Sequence, residues 1–315
     1  MEVTICYLCG EEIEGETQQM GGRPYCADCS AKVVRNRASL WRSSLAAIAA
    51  LVGFVALVTI FARLARPNLQ GWSLVLAGVV LSIVPALLWL AFFYLQDATE
   101  PEPKQLVLSV FLLGALLARA VGMPLVDDVF GVSAWLNAST LYHILGSILV
   151  VGFTRQFLVY AAVRYSVFNS AEFDERVDGV VYATAAALGY ATMINVQYVV
   201  ESGGLDLVAG IIRITVTAMA LASFGGITGY FLARCKFEDV PLWWMPAGLT
   251  LAAALDGLFT YFRGEITTTA IGLRGGGYNP WPGLLLGAVV AGVTFGVLLL
   301  AVQRLQRRAA RGMVD

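Results

Sequence analysis

The sequence predicts an all-α protein that crosses a membrane about eight times, with a small cysteine-bearing module in front. The 315 residues are 58% hydrophobic and only 14% charged, a balance that is atypical of soluble proteins. Several apolar runs of about 20 residues are long enough to cross the hydrocarbon core as helices. The formal net charge of −1 shows no basic excess, so we expect the lipid bilayer and not nucleic acid as a partner.

Two Cys-x-x-Cys pairs, sixteen residues apart, mark residues 1–36 as a separate module. Their members are Cys6, Cys9, Cys26 and Cys29. This spacing lets four thiolates close a tetrahedral site on one ion, for which zinc is the usual occupant. Disulfides or free thiols are the alternative, and a redox role is weaker because no βαβ pattern surrounds either pair. We therefore expect a structural Zn²⁺ site in a zinc-ribbon-like or LIM-like module, with a hairpin at Gly21-Gly22 and Pro24.

Residues 37–315 are expected to form the membrane domain. Its expected spans have soft boundaries near 44–64, 72–95, 104–123, 140–165, 177–200, 205–233, 240–262 and 282–303. Basic residues before the first span and in the tail favour a cell (inner) membrane protein with both termini in the cytoplasm. Arg63 and Arg66 count against this orientation, but they are outnumbered. A reducing cytoplasm agrees with zinc and not with disulfides.

The stretch 152–198 holds an apolar helix, a short charged loop and a second apolar helix rich in Ala and Gly. Arg155 and Gln156 interrupt the first helix, where a charge is costly and usually faces a polar interior. Asn195 lies within the second helix. An acidic loop, Glu-Pro-Glu-Pro at 100–103, breaks the helix earlier in the chain. On its own, the stretch 100–103 is only an acidic loop at the membrane interface.

The frame of this stretch resembles the PrsW-type intramembrane proteases, related to CPBP/Abi-like glutamic or metallo peptidases. The matching positions are Phe173, Asp174, Asp178, Gly179, Tyr182, Gly189, Asn195 and Tyr198. The loop at 100–103 looks like a second motif of the family. The resemblance covers roughly residues 85–310 and implies a PrsW-like helical bundle, but it does not imply the cysteine module.

The same resemblance implies that the family's catalytic positions carry other residues here. Arg155 and Gln156 stand where the family has two glutamates, and Ile194 stands where it has a third. Leu221 and Asp256 stand where it has histidines. Asn195, which follows Ile194, matches the family. Arginine stays protonated and offers only donors, so it cannot take a proton from water. The resemblance therefore implies that this chain has the fold of the family but lacks its catalytic residues.

Arg155 and Asp256 occupy positions that converge in the family's site, so we expect an ion pair in the bundle interior. A lone arginine in hydrocarbon is costly, and pairing is the usual remedy. In the alternative arrangement, Arg155 bonds backbone carbonyls while Asp256 lies in a wet groove.

Three functions are compatible with these features. The first is a pseudoprotease that binds membrane segments or serves as a regulatory or scaffold subunit, with a membrane-protein or transmembrane-peptide partner. The second is an active intramembrane endopeptidase that uses displaced acids. These acids are Glu172, Asp174, Glu175 and Asp178. The third is a transporter or channel, for which the sequence shows no internal repeat.

The last expected span carries two small-x-x-x-small pairs. They are Gly283 with Gly287 and Gly292 with Gly296. Such pairs let helix backbones approach closely, within the bundle or between protomers. The sequence thus allows an oligomer through this face.

Overall fold

The protein is an α-helical bundle preceded by a small hairpin, as seen in a computed structural model. The structure describes residues 4–6, 12–13, 18–20, 23–28, 40–65, 71–96, 103–201 and 209–272, with scattered positions between 282 and 297. The helices within these ranges are α1 Leu40–Ala65, α2 Trp72–Gln96, α3 Lys104–Leu117, α4 Val132–Trp135, α5 Thr140–Gly146, α6 Phe153–Ser166, α7 Arg176–Glu201, α8 Ala209–Phe237 and α9 Trp244–Gly272. π-helical turns follow α3 and α5, at Ala118–Gly122, Leu125–Val129 and Ser147–Gly152.

Five helical segments in the described part of the chain are long and apolar enough to cross a membrane. They are Trp72–Ala91, Lys104–Ala138, Thr140–Ser166, Arg176–Glu201 and Gly210–Phe237. They match the second to sixth expected spans and confirm an all-α polytopic membrane protein. The first and seventh expected spans fall on α1 and α9, which are helices, and the eighth falls on partly described residues.

The third span is longer than the sequence predicts. Expected to end at residue 123, the helical segment continues through two π-helical turns to Ala138. Pro124 does not stop it, and its φ of −59° and ψ of −36° are helical. The chain then bends at Gly131, whose φ of 54° lies in the left-handed region that favours glycine.

The two helices α7 and α8 form the centre of the bundle. In the apolar stretch that could cross a membrane, 83% of α7 and 94% of α8 are buried, against 28% of α2. Small residues make this packing possible, because a Cβ built on Gly229 of α8 would overlap the Gly179 carbonyl oxygen of α7. On the other side of α7, Gly189 lies equally close to the Phe111 carbonyl of α3.

A buried aromatic anchors the loop before α7. Phe173 is 1% exposed and stacks on Tyr182 and Phe237, with ring centroids 6.1 and 6.0 Å apart. The Lys236 ammonium donates to the carbonyls of Phe168 and Phe173, both at 2.6 Å. The loop is therefore fixed to the end of α8 by both packing and hydrogen bonds.

The N-terminal module contains the expected hairpin. Strand β1, Gln18–Met20, pairs antiparallel with β2, Arg23–Tyr25. Directly after β2, the Cys26 N–H donates to Cys6 Sγ at 3.3 Å, so one cysteine of each pair lies beside the other. Cys9 and Cys29 lie outside the described residues.

Two of the four glycines of the last expected span are described by the structure. Gly283 and Gly287 lie outside the described residues. At Gly292 and Gly296, a built Cβ would meet no described atom within 4 Å. Contact through this face stays a prediction.

Candidate functional site

The candidate site lies where α6 and the π-helical turn before it meet α9, and glycines bring these segments together. A Cβ on Gly152 would overlap the Ala253 carbonyl, and one on Gly257 would overlap the backbone of Ile148. Arg155 follows Gly152 by one turn of helix. Because Asp256 adjoins Gly257, the glycine contacts place these two side chains within reach of each other.

A polar network joins three helices at this point. The Arg155 guanidinium donates through Nη1 to Asp256 Oδ1 and to Thr260 Oγ1, both at 3.2 Å. Gln156 Nε2 donates to the other carboxylate oxygen, Asp256 Oδ2, at 3.0 Å. The Thr228 hydroxyl of α8 donates to Gln156 Oε1 at 2.9 Å. The expected ion pair of Arg155 and Asp256 is thus confirmed.

This network is enclosed by protein. Asp256, Gln156 and Thr228 are completely buried, whereas the Arg155 side chain keeps 16% of its surface exposed. Both carboxylate oxygens of Asp256 accept N–H donors, and both ends of the Gln156 amide are used. Buried polar groups that are fully hydrogen-bonded rigidify a core. The network therefore holds α6, α8 and α9 together.

The remaining family positions do not join this network. Leu221 and Ile194 pack into an apolar cluster with Leu158 and Tyr190. Asn195 instead donates through Nδ2 to the Ile214 carbonyl at 3.1 Å, which ties α7 to α8. Of the six positions singled out in the sequence, the structure brings together only the two on α6 and the one on α9.

Sequence reasoning missed two polar groups beside this site. Thr228 is a full member of the network, and its only sequence signal is a hydroxyl in a run of small residues. Tyr190 is 2% exposed and lies close enough to Arg155 and Asp256 for their charges to act on its hydroxyl. An aromatic residue in an apolar helix carries no pattern that would single it out.

The displaced acids lie elsewhere, around the start of α7. Asp178 is buried and accepts the N–H of Glu175 at 2.5 Å, which is the return half of a capping box. Glu172 and Asp174 are exposed in the preceding loop. Lys236 lies in the electrostatic neighbourhood of Asp174 and Asp178. In this arrangement Asp178 stabilises the start of α7.

The donor set of the network does not fit a divalent cation. Arg155 brings a fixed positive charge, and the carboxylate oxygens of Asp256 already accept N–H groups. Leu221 and Ile194 offer no ligand atom. Within the described ranges, no group of three or more His, Cys, Asp or Glu side chains is placed to hold a metal ion.

Comparison with known proteins gives consistent matches. A family described as PrsW family intramembrane metalloprotease matches residues 102–273. A protein named Protease PrsW from Geobacillus kaustophilus (strain HTA426) is 31% identical over 166 residues, which are 53% of this chain and 68% of the relative. A Protease PrsW from Bacillus subtilis (strain 168) is 27% identical over 57% of this chain and 79% of its own length. No solved structure matches.

Proposed function

Because this chain belongs to the PrsW family of intramembrane metalloproteases, we propose that it is a non-catalytic member that binds membrane segments without cleaving them. In this role it acts as a regulatory or scaffold subunit of a membrane complex. The observation that carries the proposal is the closed network of Arg155, Gln156 and Asp256 at the centre of the candidate site.

Hydrolysis needs a group that removes a proton from water or a metal that activates the water. Arg155 stays protonated, and Gln156 can orient a water but cannot deprotonate it. Asp256 is the one carboxylate in the network, and both its oxygens are engaged by N–H donors. A metal would also meet the Arg155 charge. These properties support binding without catalysis.

The first experiment is a cleavage and binding assay in lipid nanodiscs. A panel of fluorescent single-span peptides is offered to the purified full chain, with and without a zinc chelator. We expect saturable binding of at least one peptide and no cleavage product. The exposed-site variant Asp239→Asn serves as the control and should behave like the unmodified protein.

Three results would overturn this proposal. Cleavage that disappears in the Asp178→Asn or Asp256→Asn variant would establish an active endopeptidase. Ion flux into liposomes without peptide binding would instead favour a transporter or channel. The absence of binding across the whole panel would also contradict the proposed role.

We further propose that residues 1–36 hold one structural Zn²⁺ through Cys6, Cys9, Cys26 and Cys29. The hairpin and the Cys26 N–H bond to Cys6 Sγ support this proposal, because they place one member of each pair side by side. With four protein ligands the site would be closed and structural. The basic residues near both termini support a cytoplasmic position for this module, where it would serve as a docking surface.

A further inference from the structure

Aromatic rings form a continuous strip along one face of α6. Phe153 and Phe157 are 41% and 45% exposed, and their rings stack with centroids 6.3 Å apart. The Tyr160 ring follows, with its centroid 6.1 Å from that of Phe157. Arg164 lies one further turn along, at a spacing that keeps all four residues on the same face of the helix. The aromatic strip of Phe153, Phe157 and Tyr160 therefore ends at a positive charge.

The Arg164 guanidinium has no acidic partner in the part of the chain that the structure describes. Its Cζ atom lies 4.0 Å from the centroid of the Phe168 ring, which holds the side chain over an aromatic face. Nη1 is buried without a hydrogen-bond partner, and the ion pairs among the described residues do not include this arginine. A buried donor without an acceptor is costly. The side chain is therefore suited to an anionic acceptor supplied from outside the chain.

The charges around this arginine do not supply that acceptor. Lys236 lies over the same aromatic ring, with Nζ 5.4 Å from its centroid, and adds a second cation there. Glu238 is already shared by two other arginines, with Arg176 at 3.3 Å and Arg234 at 2.6 Å. The buried acid at the start of α7 accepts a backbone N–H of its own loop. Arg164 is thus the cation at this end of the bundle that an external anion can pair with.

The strip has the length and position of a lipid chain in one leaflet. Phe153 and Arg164 are eleven residues apart, about 16 Å along the helix, and one leaflet contributes about 15 Å of hydrocarbon. Arg164 lies near the end of the apolar segment Thr140–Ser166, and the adjoining Tyr165 is 83% exposed. An exposed tyrosine beside a basic residue at the end of a span is typical of the headgroup level.

We propose that this face of α6 binds one anionic phospholipid. A phosphate oxygen of the headgroup accepts from Arg164, and an acyl chain lies along Tyr160, Phe157 and Phe153. Basic sites at the ends of spanning helices recognise anionic headgroups through such contacts. Because the aromatic strip is part of the site, the ligand is a lipid and not free phosphate. This inference goes beyond the proposed binding of membrane segments and does not depend on it.

The test measures lipid binding to the purified full chain by native mass spectrometry. Phosphatidylglycerol is compared with phosphatidylcholine of identical acyl chains, so that the two lipids differ only in the headgroup. We expect phosphatidylglycerol to bind about five-fold more tightly, as one arginine near an anionic headgroup can provide. Arg164→Gln should abolish this preference. Arg119→Gln, which removes an exposed arginine from another span, should leave it unchanged.

Three outcomes would overturn the inference. The first is equal binding of the two lipids by the unmodified protein. The second is a preference that survives Arg164→Gln, or that Arg119→Gln removes to the same extent. The third is displacement of the lipid by inorganic phosphate, which would identify a phosphate site that does not need the aromatic strip.

Phe157→Ala gives an independent check on the strip. We expect this variant to bind both lipids several-fold more weakly while the ratio between them stays the same, because the ring contacts the acyl chain and not the headgroup. Leu112→Ala removes a similarly exposed apolar side chain from α3 and is the matched control. The same affinities in these two variants would contradict the role given to the strip.

Discussion

Arg155 brings a positive charge to the candidate site, and Asp256 balances it. Their ion pair is supported on both sides, by Thr260 on the guanidinium and by Gln156 on the carboxylate. Removing one member of a buried pair leaves an uncompensated charge, which costs far more than an exposed pair contributes. Stability therefore depends on the two residues together.

The first residue-scale prediction concerns Asp256→Asn. We expect the free energy of unfolding to fall by about 3 kcal/mol, the low end for a broken buried pair, because Arg155 remains partly exposed. Thermal unfolding in lipid nanodiscs measures the change, with Asp239→Asn as the exposed control. An unchanged midpoint and yield would show that the pair does not stabilise the bundle.

Exchanging the two charged residues tests whether an ion pair of opposite orientation restores the lost stability. Arg155→Asp combined with Asp256→Arg should recover at least half of the stability lost by either single variant, because the opposite charges still meet. A double variant no more stable than the single variants would show that the orientation of the pair matters as much as its charge.

The ion pair could be predicted from the sequence, whereas its surroundings could not. The family resemblance suggested that Arg155 and Asp256 converge, and the cost of a lone charge in hydrocarbon favoured their pairing. The contribution of Thr228 depends on the rotation of α8 against α6, which is set by packing. The position of the Tyr190 hydroxyl likewise depends on Gly122, because a side chain there would overlap it.

At the scale of the elements, glycines decide how closely the helices approach. Gly229 and Gly189 place α7 in backbone contact with α8 on one side and α3 on the other. By contrast, a Cβ on Gly53 of α1 would meet no described atom within 4 Å. Equivalent substitutions at these glycines should therefore have different effects.

We predict that Gly229→Ala lowers the free energy of unfolding by about 1–3 kcal/mol, because the new methyl group must push α7 and α8 apart. Gly53→Ala is the matched control and should leave stability nearly unchanged. Thermal unfolding of both variants in the same nanodiscs gives the comparison. Equal losses in the two variants would contradict close packing as the cause.

The spanning helices from the second to the sixth could be predicted, because each is a long apolar run. The extension of the third beyond residue 123 could not. A π-helical turn adds one residue to a turn without changing composition, so hydropathy does not reveal it. The π-helical turn Ser147–Gly152 adjoins the candidate site, which agrees with the frequent occurrence of such turns at functional sites.

At the scale of the whole molecule, we predict that the proposed zinc site in residues 1–36 stabilises that segment and not the bundle. Metal analysis of the purified full chain should give one zinc ion per chain. The double variant Cys6→Ser with Cys26→Ser should lose that zinc while the unfolding midpoint of the membrane domain stays the same. Zinc that is retained after all four module cysteines are replaced by serine would place the metal elsewhere.

The ion pair also has a consequence for the history of such a chain. Replacing Arg155 alone by glutamate would place two carboxylates side by side in a buried site, where one must take up a proton or repel the other. Replacing Asp256 alone would leave Arg155 without its carboxylate partner. Each single step toward an acidic site thus passes through a less stable protein. Under selection for stability, Arg155 and Asp256 are therefore retained unless both residues change together.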